Sequence, residues 1–223
     1  MTRFRFLTAN LLRDRVDSGD LASVLDRHRP DVVAIQELGP EAAGLIADRY
    51  SNHELHPATE YKGRGIASRF DAEFGPLELP WRAGDQARVD TGGGIIHVAS
   101  VHLLNPVDFP WWVTASRRRR QLDALIAWSE AIGDRPALIA GDMNASPMWP
   151  AYRRLASRWD DLVAEWARST GTRPEPTWGW RPGWRRLLRI DHVFGTAIRA
   201  VEATVVPIRG SDHAALILDL ELP

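Results

Sequence analysis

Short apolar runs of strand length recur eight times along this chain, and six of them carry an acid, an amide or a histidine at one end. Phe4 to Leu12, Asp31 to Glu37, Arg64 to Phe70, Gly94 to Leu104, Ala137 to Asn144, Arg189 to Gly195, Ala200 to Ile208 and Ala214 to Leu220 have the length and the β-branched or aromatic content of strands. Helical spacing alternates with them. Leu21, Val24, Leu25 and His28 follow an i, i+3, i+4, i+7 pattern after Ser18 and Asp20 as caps, and Leu122, Leu125, Ile126 and Ser129 repeat it after an arginine run. Pro40 opens a shorter helix around Leu45 and Ile46, and Pro150 opens a third long one carrying Leu155, Leu162, Val163 and Trp166. Strands and helices interleave without strict βαβ regularity and the last stretch is rich in strands, which argues for mixed sheets with helices on their outer faces.

At 223 residues a single domain over 1–223 is the expectation, with no internal repeat. The segment from Gly171 to Trp184, rich in Pro and Trp, is the one candidate long loop. The absence of cysteine excludes disulfide scaffolds and thiolate metal sites. A net charge of −1 supplies no bulk attraction to polyanions, so any grip on nucleic acid or anionic lipid must come from local patches. The start, Met1-Thr2-Arg3-Phe4-Arg5-Phe6-Leu7, lacks the run of about 7 to 15 apolar residues of a secretory signal, so a cytoplasmic protein is expected. No apolar stretch approaches the ~18 residues needed to span a bilayer, so integral membrane association is not expected. No obligate protein partner is evident, and a monomer is the default.

The polar residues at the strand ends carry the chemistry. Asn10 follows Phe6 to Ala9, Glu37 follows Val32 to Gln36, and His102 follows Ile95 to Val101. Asp142 and Asn144 follow Leu138 to Ala140, Asp191 follows Leu188 to Ile190, and Asp212 and His213 precede the last strand. Singly each has an ordinary reading: a turn former, a surface acid, a satisfied core histidine, a partner for an arginine. Together they are poorly explained as coincidence, because burying so many polar and charged groups without a metal or partners costs several kcal/mol each. Asp142 and Asn144 are two apart, so on a continuing strand they would face one side.

At these residues the chain resembles the endonuclease/exonuclease/phosphatase superfamily, which contains DNase I, AP endonucleases, neutral sphingomyelinases and inositol polyphosphate 5-phosphatases. The resemblance rests on Thr8-Ala9-Asn10, Ile35-Gln36-Glu37, Ser100-Val101-His102, Gly141-Asp142-Met143-Asn144, Arg189-Ile190-Asp191-His192-Val193-Phe194 and Ser211-Asp212-His213, in the family's order from residue 8 to residue 213. It implies an α/β fold, a four-layer α/β/β/α sandwich of two mixed β-sheets of the DNase I type, with the site at one end. It also implies a phosphodiesterase that uses Mg²⁺ or Mn²⁺, held by Glu37 with help from Asn10 and with Asp212 completing the shell or binding a second ion. In that scheme Asp142 orients and deprotonates the attacking water while Asn144 holds the water or a phosphate oxygen. His213, oriented by Asp191, donates to the phosphate, and His102 hydrogen-bonds the phosphate or assists the leaving oxygen as an acid.

Departures from the family bear on substrate. AP endonucleases carry an acid two positions after the first Asn, where this chain has Leu12, and tyrosine where it has His102, so AP endonuclease activity is disfavoured. The expected substrate is a phosphate ester, first a small or single-stranded phosphodiester, with a DNase-like nuclease or a lipid phosphodiesterase as alternatives. A lapsed enzyme that only binds is the rival, although every proposed catalytic position is still occupied by a competent residue. Ser116-Arg117-Arg118-Arg119-Arg120-Gln121 reads either as a solvated helix face from which one arginine, Arg118, reaches the site, or as a phosphate or membrane-surface patch. Trp111, Trp112, Trp178, Trp180 and Trp184 are placed in loops, where they stack on a ring or cap the core. Arg64, between Gly63 and Gly65, either brings a cation to the phosphate or marks a turn.

Overall fold

The computed structural model describes residues 2–13, 15–108 and 110–222, so Met1 and Pro223, the ends of the expected domain, lie outside the described residues, as does the side chain of Trp111. Two six-stranded sheets form. The first has the order β11 (Arg199–Pro207), β12 (Ala214–Glu221), β1 (Arg3–Arg13), β2 (Val32–Leu38), β4 (Arg64–Ser68), β3 (Asn52–His56). The second runs β5 (Asp71–Leu77), β6 (Gly84–Asp90), β7 (Ile95–His102), β8 (Ala137–Asp142), β10 (Asp191–Thr196), β9 (Asp160–Asp161). Each sheet has one parallel pair near its centre, β1 with β2 and β7 with β8, and its other pairings are antiparallel.

Alternation along the strands makes the layers. Phe4, Phe6, Val32 and Ala34 from one sheet meet Val89, Ile96, Val98, Leu138 and Ala140 from the other in the central core. The alternate residues Leu7, Ala9, Val33 and Ile35 face outward, where Leu21 and Leu25 of α1 (Ser18–His28) and Ile46 of α2 (Pro40–Ala47) cover them. On the far side Ala99, Val101 and Ile139 are covered by Leu122 and Leu125 of α3 (Trp111–Ile132) and Leu155 of α4 (Pro150–Ala156). Each fully buried side chain of this kind contributes roughly 1.5–3 kcal/mol relative to exposure. The result is a DNase I-like α/β sandwich, helices outside two packed mixed sheets. Among the described residues no helix is long and apolar enough to cross a membrane.

Several expectations need correction. The described residues hold twelve strands, not eight. Those missed, β3 (NHELH), β5 (DAEFGPL), β6 (GDQARVD) and the two-residue β9, carry acids, Gly or Pro among short or scattered apolar residues, so they lack the continuous apolar run that marks a strand in sequence. The helix expected from Pro150 through Trp166 is broken: α4 ends at Ala156, and α5 (Leu162–Thr170) starts afresh with Asp161 as its cap, accepting from the Ala164 N–H at 3.0 Å. α1 is capped by Asp17, not Ser18 or Asp20. α3 starts at Trp111, so the arginine run lies inside the helix and Trp111 and Trp112 open it instead of lying in a loop.

Candidate active site

Parallel pairing brings strand ends together. The β1/β2 pair presents Asn10 and Glu37 at its carboxyl end, and the β7/β8 pair sets His102 beside Asp142 in register. β10 runs antiparallel to β8 and begins at the same edge, so Asp191 lies opposite Asp142. β12 runs antiparallel to β1, which brings Asp212 and His213, just before it, to that edge too. Asn10, Glu37, His102, Asp142, Asn144, Asp191, Asp212 and His213 thus converge from both sheets at the end of the sandwich. A cleft of about 850 Å³ opens above them, lined by Glu37, His102, Asp142, Asn144, Asp212 and His213.

The backbone is bent to aim these groups. Glu37 (φ 49°) and Asn144 (φ 46°) both adopt the left-handed region, which is uncommon for residues other than glycine. This corrects the shared-face expectation: β8 stops at Asp142, and Asn144 reaches the site through a turn. The Asn144 N–H donates to Asp142 Oδ1 (2.8 Å), and its Nδ2 donates to Leu103 O (3.0 Å). Gly141 precedes Asp142 with φ 132°, and a Cβ there would lie 2.1 Å from Val101 O, so only glycine fits.

Beneath the site lies a buried polar layer whose residues had no role assigned in the sequence analysis. Gln36 Nε2 donates to Ser100 Oγ (3.1 Å) and Thr8 Oγ1 (3.3 Å), stitching the two sheets together. Thr8 and Ser100 each lie two residues before a site residue on the same strand face, and that parity is the signal that could have found them. Thr177 is fully buried and accepts from the Ile190 and Asp191 N–H groups at 3.2 Å each. Ser211 Oγ donates to Asn10 O at 2.7 Å, which fastens the loop before β12 to β1.

Charge is concentrated on a short chain of side chains. His213 Nδ1–H donates to both oxygens of Asp191 (3.0 and 2.9 Å), while its Nε2 faces Asp142 Oδ2 at 3.8 Å. Burial alone would lower the His213 pKa, but the carboxylates of Asp191 and Asp142 override it and raise the imidazole to about 10, so it is protonated at neutral pH. Burial pushes the Asp142 carboxyl up to about 7, against the pull of His213 and the hydrogen bonds from Asn144 and Asn10. His102 Nε2 lies 3.3 Å from Asp142 Oδ2. Burial, with Arg82 and His213 nearby, holds His102 well below the usual histidine range, so it is neutral.

Asp142, Asp191 and His213 bring one donor atom each within 4.8 Å of one another, a group able to hold a metal. Glu37 and Asp212, the other acids expected to hold the ion, are not part of that group, and Glu37 Oε2 lies 3.5 Å from Arg13 Nε. Asn10 Nδ2 donates to both Glu37 Oε1 (3.3 Å) and Asp142 Oδ2 (3.2 Å), bridging two carboxylates, while its own Oδ1 accepts from the Leu12 N–H (3.0 Å). Asn10 thus links the two carboxylates. Asp212 Oδ2 accepts from Trp178 Nε1 (3.1 Å), and its Oδ1 is buried without a partner, as an oxygen awaiting a cation would be.

Two expected substrate contacts are committed elsewhere. Arg118 points inward and donates to the carbonyls of Leu104, Met143 (3.2 Å) and Asn144 (3.2 Å), clamping the two loops that frame the site. Arg64 lies behind His102, in a small separate pocket, with its Nε on Asp85 Oδ1 at 2.9 Å. Trp178 lines the cleft. Arg82, which sequence reasoning missed, lines the cleft together with Glu37, His102, Asp142 and His213. Its Cζ lies 4.7 Å from the Tyr61 ring centroid, and its Nε and Nη1 are buried without hydrogen-bond partners. Nothing in Pro80-Trp81-Arg82 marks it, because the hairpin that delivers it, β5 to β6, was itself illegible.

The fold recurs in solved structures of other proteins. The zebrafish (D. rerio) TDP2 carrying 14 humanizing mutations superposes with a TM-score of 0.75 at 19% identity, covering 98% of this chain and 99% of that one. The catalytic domain of human Nocturnin gives 0.72 at 16% (99% and 94% covered), and the AP endonuclease LMAP of Leishmania major 0.74 at 16% (99% and 88%). Among curated proteins no sequence match is found. The family model described as the Endonuclease/Exonuclease/phosphatase family matches residues 7–213, a span that includes all the strand ends converging on the cleft. On fold and sequence together, the chain belongs to the endonuclease/exonuclease/phosphatase family.

Proposed function

We propose that this protein is a metal-dependent phosphodiesterase that hydrolyses its substrate by in-line attack of water. The observation that carries the reading is the buried chain Asp191, His213, Asp142 and Asn10 to Glu37 on the floor of an open cleft. Asp142, held by the Asn144 N–H and by Asn10 Nδ2, accepts the proton of the attacking water, and a carboxyl raised towards neutrality suits that task. Protonated His213 donates from Nε2 to a phosphoryl oxygen while Asp191 fixes its ring. Neutral His102 serves as a hydrogen-bond partner beside Asp142; its low pKa argues against the acid role. Arg82 has two free N–H groups at the cleft wall for another phosphoryl oxygen. Asn144 aligns the water. Glu37 and Asp212, with Asp142 adjacent, would hold Mg²⁺ or Mn²⁺, which supplies polarisation of the phosphoryl oxygen and offsets the charge growing on it.

The test is hydrolysis of bis-p-nitrophenyl phosphate and p-nitrophenyl phosphate side by side with Mg²⁺, with Mn²⁺ and with EDTA. Cleavage of the diester that EDTA abolishes is expected. Asp142→Asn and His213→Ala should each lower turnover by about 10² to 10⁴-fold with the far-UV spectrum unchanged. Mn²⁺ binding without turnover would favour a lapsed binding module instead. Zebrafish TDP2 has been captured with a single-stranded DNA product, so single-stranded oligonucleotides belong in the first substrate panel.

A further inference from the structure

The tongue from Gly179 to Leu188 lies beside the cleft and is used by none of the chemistry above. Its base is fixed. The Thr177 and Trp178 N–H groups donate to Leu188 O (2.9 and 2.8 Å), the Leu187 N–H returns to Trp178 O (2.7 Å), and the Gly179 N–H donates to Asp212 O (3.0 Å). A Trp184 N–H to Arg181 O bond (3.1 Å) closes the tip. The fold thus holds the apolar side chains of the tip out in solvent, where Trp180 is 68% exposed.

Other apolar groups share this rim. Val107, in the cleft wall, is 75% exposed, and Met148, next to the cleft-lining Trp149, is 77% exposed. Exposed apolar side chains gathered around one opening, instead of scattered singly, mark an interaction surface. Arginines are interleaved with them. Arg181 lies 5.2 Å over Trp184, and Arg117 and Arg120 lie 5.5 and 5.8 Å over Trp81. No acid occurs between Glu175 and Asp191, nor from Pro110 to Leu122, in a chain whose net charge is −1, although Asp108, next to Val107, lines the cleft.

Trp with Arg, backed by aliphatic side chains, is the composition that the headgroup boundary of an anionic bilayer accepts. Indoles settle at that depth, guanidinium groups meet lipid phosphates, and aliphatic tips reach the acyl chains. Single-stranded nucleic acid would be served by the indoles and arginines but not by Val107, Met148 and Leu187, which have no ring face for a base. We infer that the rim formed by the 179–188 tongue, Val107, Met148 and Trp81 docks on anionic membrane, so that the cleft works on phosphodiesters presented at a bilayer surface. This rests on the phosphodiesterase reading for its substrate, and on the rim alone for its docking.

Flotation with phosphatidylcholine vesicles, with and without phosphatidylserine, tests the docking independently of turnover. The wild type should float with the phosphatidylserine vesicles and its tryptophan emission should shift to the blue. The double variant Trp184→Ser/Leu187→Ser, which touches neither the cleft wall nor the catalytic groups, should bind at least about tenfold more weakly while cleaving bis-p-nitrophenyl phosphate at the wild-type rate. Arg181→Glu/Arg185→Glu provides a second variant with the apolar tip intact, and it should lose the preference for phosphatidylserine. Vesicle binding that is absent in the wild type, or unchanged in both variants, overturns the inference and leaves the phosphodiesterase reading standing. Binding to a single-stranded oligonucleotide but not to vesicles overturns it in favour of nucleic acid. Vesicle binding by a protein inactive on every diester would sustain the docking surface and sink the phosphodiesterase reading.

Discussion

Replacing Gly141 with alanine would drive a Cβ to 2.1 Å from Val101 O and 2.9 Å from Gln36 Nε2, at a φ that L residues rarely adopt. The strain should cost about 2 kcal/mol or more, read as a fall in the urea midpoint. Gly141 was legible as part of a motif, but the cause of its restriction was not, because the atoms it would strike belong to residues 36 and 101. Arg82 illustrates the same limit. Its meaning depends on unpartnered N–H groups and a Tyr61 ring 21 positions earlier, neither of which has a sequence signature. Arg82→Ala should lower kcat/KM on a diester by roughly tenfold to a hundredfold, with Arg82→Lys recovering part of it. Equal rates for wild type and alanine variant would remove Arg82 from the site.

Among elements, α3 was legible from Leu122, Leu125 and Ile126, whose spacing matches the face it buries, while its first turns were hidden by arginines of unlike roles. Arg118 alone turns inward, to three carbonyls on the loops after β7 and β8. Arg118→Met should cost about 1–3 kcal/mol by leaving those carbonyls unmatched, and should lower turnover as the loop carrying Asn144 loosens. Denaturant titration and a rate measurement on one preparation distinguish the two effects. The break between α4 and α5 was illegible because Leu155, Leu162, Val163 and Trp166 are compatible with one continuous helical pattern. What interrupts it is Asp161, drawn into a buried group with Arg189 (2.7 Å), Tyr152 (2.7 Å) and His192 (3.4 Å).

That group bears on the stability of the whole molecule. Burial would raise the Asp161 carboxyl, but the hydrogen bond and charge of His192, the Arg189 guanidinium and the Tyr152 hydroxyl hold it well below the usual carboxylate range. A depressed folded value means stability present above the unfolded value, near pH 4, and lost as the pH falls further towards the folded one. Asp161→Asn should therefore cost about 3 kcal/mol at pH 7 and flatten the stability curve below about pH 4, as chemical denaturation across that range would show. An unchanged acid limb would mean that other carboxylates govern it. Mixed sheets with helices outside were legible from the strand runs and helical patterns, while the face-to-face packing of two sheets was implied by the family resemblance. The partner of each strand was not legible. β1 pairs with β2 on one edge and on the other with β12, where Arg3 lies opposite Glu221. A ribosome releases β1 long before β12, so one edge of the first strand stays open until nearly the whole fold has emerged. The cleft floor needs Ser211 on Asn10, and the loop carrying Ser211 is held in place by the pairing of β12 with β1, so a chain halted ahead of β12 would carry all eight converging side chains with that floor unfastened.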